Sequence, residues 1–358
     1  MSIIKTMKEK IDQTLRRGWT TGACASAAVK AALEMLWGDE VLTTVSVILP
    51  RGEAPIFDLE CYKRGSDWVE VGIKKDAGDD PDVTHGCIVN ARVSESVSGV
   101  IFVGGEGVGK VTKPGLPIGV GEPAINPMPR KMMINLVNEM ALKYKKNANI
   151  QITISIPGGA DLAKKTWNPR LGIKGGLSIL GTTGIVKPYS CSAWIASIHR
   201  GIDVARAANL KHVAGCTGST SEATVQKVLG LSDYAMLDMG DFVGGMIKYL
   251  KKYPIDRVTI GGGIGKITKL AFGAIDLHSK RSQVDFSKLN SLCVSAGLAD
   301  VSSANTALEA LSIAGPKLAT LVAEKALDSL TFMVKNDNIQ ISVIIVNRSG
   351  SVIAKVGI

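Results

Sequence analysis

Residues 257–266 read Arg257-Val258-Thr259-Ile260-Gly261-Gly262-Gly263-Ile264-Gly265-Lys266. A short apolar run meets a glycine loop, and a helical stretch follows. The same order recurs upstream. Residues 212–214 lead through Gly215-Cys216-Thr217-Gly218-Ser219-Thr220 to a helix from about Glu222. Residues 234–237 lead through Asp238-Met239-Gly240-Asp241 to a helix ending near Tyr253. Residues 177–180 lead through Gly181-Thr182-Thr183-Gly184 to a helix over 192–208. Alternating β and α segments predict a parallel sheet with helices on its faces. Such sheets bind ligands beyond the carboxyl ends of their strands, where these loops fall. A helix over 316–330 and strands over 339–346 and 352–356 complete this half.

The first half reads differently. Thr20-Thr21-Gly22 precedes an alanine-rich helical segment, 23–36. Strand-like runs follow at 41–49, 56–61, 67–73, 88–93 and 100–103, separated by turn clusters such as Pro50-Arg51-Gly52 and Lys63-Arg64-Gly65. Asn126-Pro127 opens a helix to about Lys145, with Pro129 in the first turn, where a missing N–H is harmless. A strand over 150–156 ends at Pro157-Gly158-Gly159. The reading is an α+β N-terminal domain, 1–175, carrying a Gly/Pro-rich ligand loop. An α/β, Rossmann-like C-terminal domain with a mostly parallel sheet follows, 176–358.

At 358 residues the chain is long enough for two domains and needs no covalent staple. No apolar run approaches the length of a membrane span. Residues 1–17 are polar, unlike a secretory leader, so a soluble cytoplasmic protein is expected. Glycine, 39 residues or about 11% against a usual 7%, predicts many positions of positive φ or close backbone approach. Aromatic residues are only 5%, which weighs against base-stacking surfaces and nucleic acid. A net charge of +10 suits polyanions, small molecules with several carboxylates or phosphates among them. The six cysteines and four histidines are scattered without metal-ligand or redox spacing, so no protein metal site is expected.

Four segments could carry chemistry. Gly104-Gly105-Glu106-Gly107-Val108-Gly109-Lys110-Val111 begins like a phosphate-binding P-loop, the basis of an alternative reading as a nucleotide-dependent kinase or ligase. Val111 stands where Ser or Thr would hold magnesium, and the prolines at 114 and 117 forbid the required helix. What is left is a glycine-rich basic loop, a ligand loop or a structural crossover. The acidic turn Lys75-Asp76-Ala77-Gly78-Asp79-Asp80-Pro81-Asp82-Val83-Thr84-His85-Gly86 is either a solvated turn or a polar site in which Asp79, Asp80 or His85 takes or orients a proton. Thr182, Thr183, Gly184, Asp238, Gly240, Asp241, Gly261, Gly262 and Gly263 lie in loops that cap helices or hold a small molecule. Lys110, Lys113, Arg130 and Lys131 around the central loop, with Lys164, Lys165, Arg170, Lys174 and Lys187 around the expected domain junction, form either a solvated basic face or a pocket for carboxylates. A non-enzymatic polyanion-binding protein is a third reading; it predicts steep salt dependence.

Leu15-Arg16-Arg17-Gly18-Trp19-Thr20-Thr21-Gly22-Ala23-Cys24 resembles the opening signature of the CbiD family, the cobalt-precorrin-5B C1-methyltransferases. The stretches 75–86, 105–129, 181–188, 240–245 and 265–271, with His278, resemble that family in order. Trp19 stands where Tyr is expected and Ala77 where Gly is expected. The resemblance implies transfer of a methyl group from S-adenosylmethionine to C-1 of a cobalt-containing tetrapyrrole, giving cobalt-precorrin-6A in anaerobic cobalamin synthesis. Cobalt would enter only as part of the substrate, whose acetate and propionate groups match the positive charge. The other enzymes of that pathway would be the candidate protein partners. On this reading Thr20, Thr21, Gly107, Lys110, Lys113, Arg130 and Lys187 meet the tetrapyrrole. The loops at Thr182–Gly184, Asp238–Asp241 and Gly261–Gly263 hold the donor, or the two groups exchange these roles, and Asp79, Asp80 and His85 serve catalysis.

Overall fold

The computed structural model describes residues 15–335 and 338–357; the polar segment 1–14 lies outside them. By its contacts the chain divides into a first unit ending at Cys191 and a second beginning at Ser192.

The first unit starts with the two-residue strand β1 (Gly18–Trp19) and helix α1 (Thr21–Gly38). Thr20 caps α1, its hydroxyl accepting the Ala23 N–H at 3.2 Å. Six alanines let α1 lie buried on nearly every side. Strands β2 (Thr44–Ser46), β3 (Ile56–Arg64), β4 (Trp68–Lys74) and β5 (Ile88–Glu95) form an antiparallel run. Next come β6 (Val100–Gly104), the short β7 (Lys110–Val111), helix α2 (Pro127–Tyr144) and β8 (Ile150–Ser155). The sheet order is β2-β3-β4-β5-β8-β6. Only β6 and β8 pair in parallel, because α2 carries the chain across between them. Alternate residues, including Val69, Val71, Ile73, Val89, Val93, Ile152 and Ile154, are buried in the core that α1 and α2 share. The Gly/Pro-rich loop therefore leaves the carboxyl end of a parallel strand. Helix α3 (Gly159–Ala163), β9 (Ile173–Lys174) and β10 (Ile185–Val186) complete the unit, with β9 on β7 and β10 on β1.

This division by contacts falls at 191/192, whereas the sequence pattern placed the boundary at 175/176. Residues 177–180 do not enter the second unit's sheet: Leu177 bridges to Val108 and Ile179 to Ile125. They resemble a strand because they are apolar, but their partners lie in the first unit.

The second unit contains α4 (Cys191–Ala207, whose first residue closes the first unit), β11 (His212–Cys216), α5 (Ser219–Leu229), β12 (Met236–Leu237), α6 (Val243–Lys252), β13 (Arg257–Gly262) and α7 (Ile264–Ala271). Then follow α8 (Phe286–Ser295), α9 (Ala307–Ala314), α10 (Lys317–Val334), β14 (Gln340–Val346) and β15 (Val352–Val356). The order is β12-β11-β13-β14-β15, parallel except for the terminal hairpin. Val213, Val258, Val343 and Ile345 face the large helical core, while Ala214, Cys216, Ile344 and Val346 face α5. From β11 the chain crosses to β12 on one side; from β13 it crosses to β14 on the other. The loops after β11 and β13 part between neighbouring strands, the topological switch point where open parallel sheets bind ligands.

Candidate functional site

The acidic turn joins β4 to β5 and is held by its own carboxylates. Asp76 forms a bidentate pair with the Arg16 guanidinium, one contact at 2.9 Å. Hydrogen bonding from Arg16 holds the Asp76 carboxyl below its usual range. Asp79 accepts the Arg16 N–H at 2.6 Å, and Asp80 accepts the Tyr189 N–H at 2.8 Å. Asp82 takes Lys75 at 2.6 Å and the Thr84 N–H and hydroxyl at 2.8 and 2.7 Å. Burial pushes the Asp82 carboxyl up, but Lys75 and Thr84 together hold it down. Lys75 is 2% exposed, a buried cation under the turn. His85 accepts the Ala77 N–H on Nδ1 at 3.1 Å, so the neutral ring carries its proton on Nε2. The turn thus brings Asp79, Asp80 and His85 together on one loop.

The Gly/Pro loop is a packed structure. Gly107 has φ +72°, and an added Cβ there would lie 1.9 Å from the Ile156 carbonyl oxygen. Its glycine is required by backbone packing. After Lys110 the chain runs through a two-residue strand and turns, with the next helix starting at Pro127. That geometry is not a P-loop, and the kinase or ligase reading loses its phosphate cradle. Lys110 stands directly across from Lys174 on β7–β9, both exposed, while Val111 and Ile173 pair on the buried side. Arg130 is engaged within the loop: it pairs with Glu122 at 2.8 Å and donates to the Ile125 and Pro123 carbonyls at 2.8 and 3.3 Å. A cleft of about 420 Å³ lies here, lined by Ile118, Glu122, Ile125, Arg130, Lys131 and Ile134. Lys113 packs its methylenes beside Gly172.

The segment 178–189 lies along the start of α1. The Thr21 hydroxyl accepts the Leu180 N–H at 3.0 Å, and the Thr20 N–H donates to the Gly184 carbonyl at 3.0 Å. Thr20 and Thr21 are buried and serve these ties. Thr183 hydrogen-bonds Ile185 within its own turn, and Gly184 packs on Leu49. Thr182, Lys187 and Tyr189 are exposed. Thr182, Thr183 and Gly184 therefore belong to the first unit, whereas the β11–β13 loops with which the sequence grouped them belong to the second.

In the second unit three loops are stitched at one edge. The Thr217 N–H donates to Gly261 O at 3.0 Å and the Gly240 N–H to Cys216 O at 3.1 Å. Gly261 and Gly262 are filled against Cys216, Val225, Thr217 and Ile267, whereas Gly218 borders open space and a Cβ at Gly263 would meet the Val346 carbonyl oxygen only at an ordinary 3.9 Å. Gly218 and Gly263 precede α5 and α7. Asp241 pairs with Lys266 at 2.6 Å, and Lys266 and Lys269 both donate to the Leu277 carbonyl at 3.0 Å. Burial, then the neighbouring Lys266, pushes the Lys269 ammonium pKa down. The Trp194 indole N–H donates to the Asp238 carbonyl at 2.9 Å and its ring covers Gly240. Sequence reasoning gave no role to Lys75, Tyr189 or Trp194. Only their tertiary contacts mark them, although Lys75 heads the acidic motif.

Among the described residues no group of three or more His, Cys, Asp or Glu gathers as metal ligands, and no helix is long and apolar enough to cross a membrane. A mixed sheet in the first unit and a mostly parallel sheet with its loops gathered at one edge in the second define a class: a mixed α/β protein of two units. The chain belongs to the CbiD family, whose CbiD model matches residues 8–188 and whose C-terminal-domain model matches 276–357. It is 53% identical to the cobalt-precorrin-5B C(1)-methyltransferase of Brucella anthropi over 98% of both chains. It is also 53% identical to that of Paramagnetospirillum magneticum over 96% of this chain and 98% of the other. A crystal structure of the cobalamin biosynthesis protein CbiD from Archaeoglobus fulgidus is 29% identical, covering 70% of this chain and 77% of that one, with a TM-score of 0.41.

Proposed function

We propose that this chain transfers a methyl group from S-adenosylmethionine to C-1 of cobalt-precorrin-5B, giving cobalt-precorrin-6A. The observation that carries the reading is half-identity, along nearly the whole chain, to relatives named for that reaction. A soluble enzyme acting in the cytoplasm, with the cobalt tetrapyrrole as its small-molecule partner, follows from the same reading.

The switch point of the second unit fits the methyl donor. Gly218 and Gly263 admit a ligand's close approach to the first-turn N–H groups of α5 and α7, which suit a carboxylate. Asp241 lies in the loop after β12 and supplies a carboxylate for a ribose or ammonium group. When bound, the donor supplies an electrophilic methyl on a sulfonium. The residues around it orient that methyl, and transfer needs it about 3–3.5 Å from the ring carbon. No protein nucleophile is required.

The first unit fits the macrocycle. Lys110, Lys113, Lys174 and Lys187 offer ammonium groups to its acetate and propionate arms. Arg130 acts one step back, fixing the loop through Glu122 and two carbonyls. His85 is the group on the acidic turn able to exchange a proton with the ring, and its Nδ1 contact with Ala77 sets which nitrogen carries it. Asp79 commits one oxygen to the Arg16 N–H. Incubation with methyl-labelled S-adenosylmethionine and the cobalt corrinoid tests the reading. The label should move to the ring at C-1; label staying on the donor, with an intact corrinoid present, would overturn it.

A further inference from the structure

Tyr189 stands in the left-handed region at φ +53°, a conformation that bulky side chains rarely hold. Its side chain is 67% exposed, so burial does not impose this backbone. What holds it is Asp80, whose Oδ1 accepts the Tyr189 N–H at 2.8 Å across 109 residues of sequence. Asp80 is itself fixed in a turn whose base is the buried Lys75–Asp82 pair and whose flank is the Arg16–Asp76 pair. Strain that the surroundings maintain, at an exposed position, marks a residue set for a ligand. Lys187, two residues earlier, is exposed as well. An aromatic face and an ammonium on one short segment match a flat ring bordered by carboxylates.

We propose that Tyr189 is a contact residue for the tetrapyrrole face and that Asp80 is its positioning residue, acting through the Tyr189 backbone and not by proton transfer. This rests on the methyltransferase reading and assigns two residues within it. Asparagine keeps a side-chain oxygen that can accept the Tyr189 N–H; alanine does not.

The test compares full-length wild type with Asp80→Asn, Asp80→Ala, Tyr189→Phe, Tyr189→Ala and the Asp80→Ala/Tyr189→Ala double variant. Two readouts are used: titration with uroporphyrin, a flat macrocycle bearing acetate and propionate arms, followed by its Soret band, and steady-state methyl transfer to the cobalt corrinoid. Tyr189→Ala should weaken uroporphyrin binding and raise corrinoid KM about three- to tenfold, the size of one aromatic stacking contact, with kcat little changed. It should also reduce the Soret shift on binding. Asp80→Ala should match it, the double variant should be no worse than either, and Tyr189→Phe and Asp80→Asn should each rescue most of the loss. An Asp80→Asn protein whose corrinoid KM rises as far as that of Asp80→Ala, or whose kcat falls well below wild type, would show that the carboxylate charge matters and overturn the positioning role. Unchanged Soret shift and KM in Tyr189→Ala would remove the aromatic contact. Wild type that binds uroporphyrin but transfers no methyl would instead count against the reaction assigned above.

Discussion

Replacing Lys75 by Met should destabilise the first unit by about 2–3 kcal/mol. Lys75 is 2% exposed, and its Nζ lies 2.6 Å from the Asp82 Oδ2. Breaking a fully buried ion pair by removing one partner costs about 3–5 kcal/mol, and breaking an exposed one costs at most about 1 kcal/mol. The Asp82 side chain keeps 25% of its surface and both Thr84 hydrogen bonds, so part of its charge stays solvated and the cost falls between those two limits, nearer the buried one. Urea unfolding at pH 7, followed by tryptophan fluorescence, gives the difference. Trp19, Trp37, Trp68 and Trp167 all lie in the first unit and dominate the signal. Adding Asp82→Asn to Lys75→Met should recover part of the loss by removing the unpaired buried charge. A loss below about 0.5 kcal/mol, or a double variant worse than the single by the full cost of Asp82→Asn alone, would refute the claim that this pair anchors the acidic turn.

Other outcomes follow from the same geometry. Asp82 has a folded pKa below its unfolded value, so its contribution is present above about pH 4 and disappears as pH falls through the folded pKa. Thermal melts between about pH 5 and 2 should therefore show a shallower pH slope for Asp82→Asn than for wild type; equal slopes would contradict this. Gly107→Ala places a Cβ 1.9 Å from a backbone oxygen at φ +72° and should destabilise the first unit by more than the ~1–2 kcal/mol cost of left-handed backbone alone, read from the same urea curves. Burial raises the Cys24 and Cys216 thiols to about 12 and the Cys87 thiol to about 11. At pH 8 a thiol reagent should label the exposed Cys61 and the half-buried Cys191 first, with Cys24 and Cys216 reacting only on unfolding; peptide mapping of the labelled protein checks the order.

The second unit was legible because its signal is local. An apolar run such as Val258-Thr259-Ile260, followed by glycines and a helical stretch, carries its own reading as a buried parallel strand. Residues 177–184 carry the same local pattern and belong elsewhere, because what places them is Thr20, Thr21, Leu49 and Val108, far away in sequence. Helices α8 and α9 escaped the reading although their caps were in view. Asp285 accepts the Lys288 N–H, and Thr306 accepts the Glu309 N–H, the start of a capping-box pattern. The acidic turn showed four carboxylates that needed relief. Lys75 and Thr84, which relieve Asp82, stand in the motif itself, but Arg16 and Tyr189 are brought in by the fold across 60 and 109 residues and left no local sign. Arg130 looked like a carboxylate grip for the same reason: its partner Glu122 was a loop residue with no local sign of pairing.

Hydrogen exchange with and without saturating S-adenosylhomocysteine tests the division of labour between the two units most directly. Protection should appear at 216–220, 238–242 and 262–266, the three loops at the β11–β13 edge, with residues 104–126 unchanged until the corrinoid is added. Protection confined to 104–126, with the second-unit loops exchanging as in the ligand-free protein, would contradict the placement of the donor.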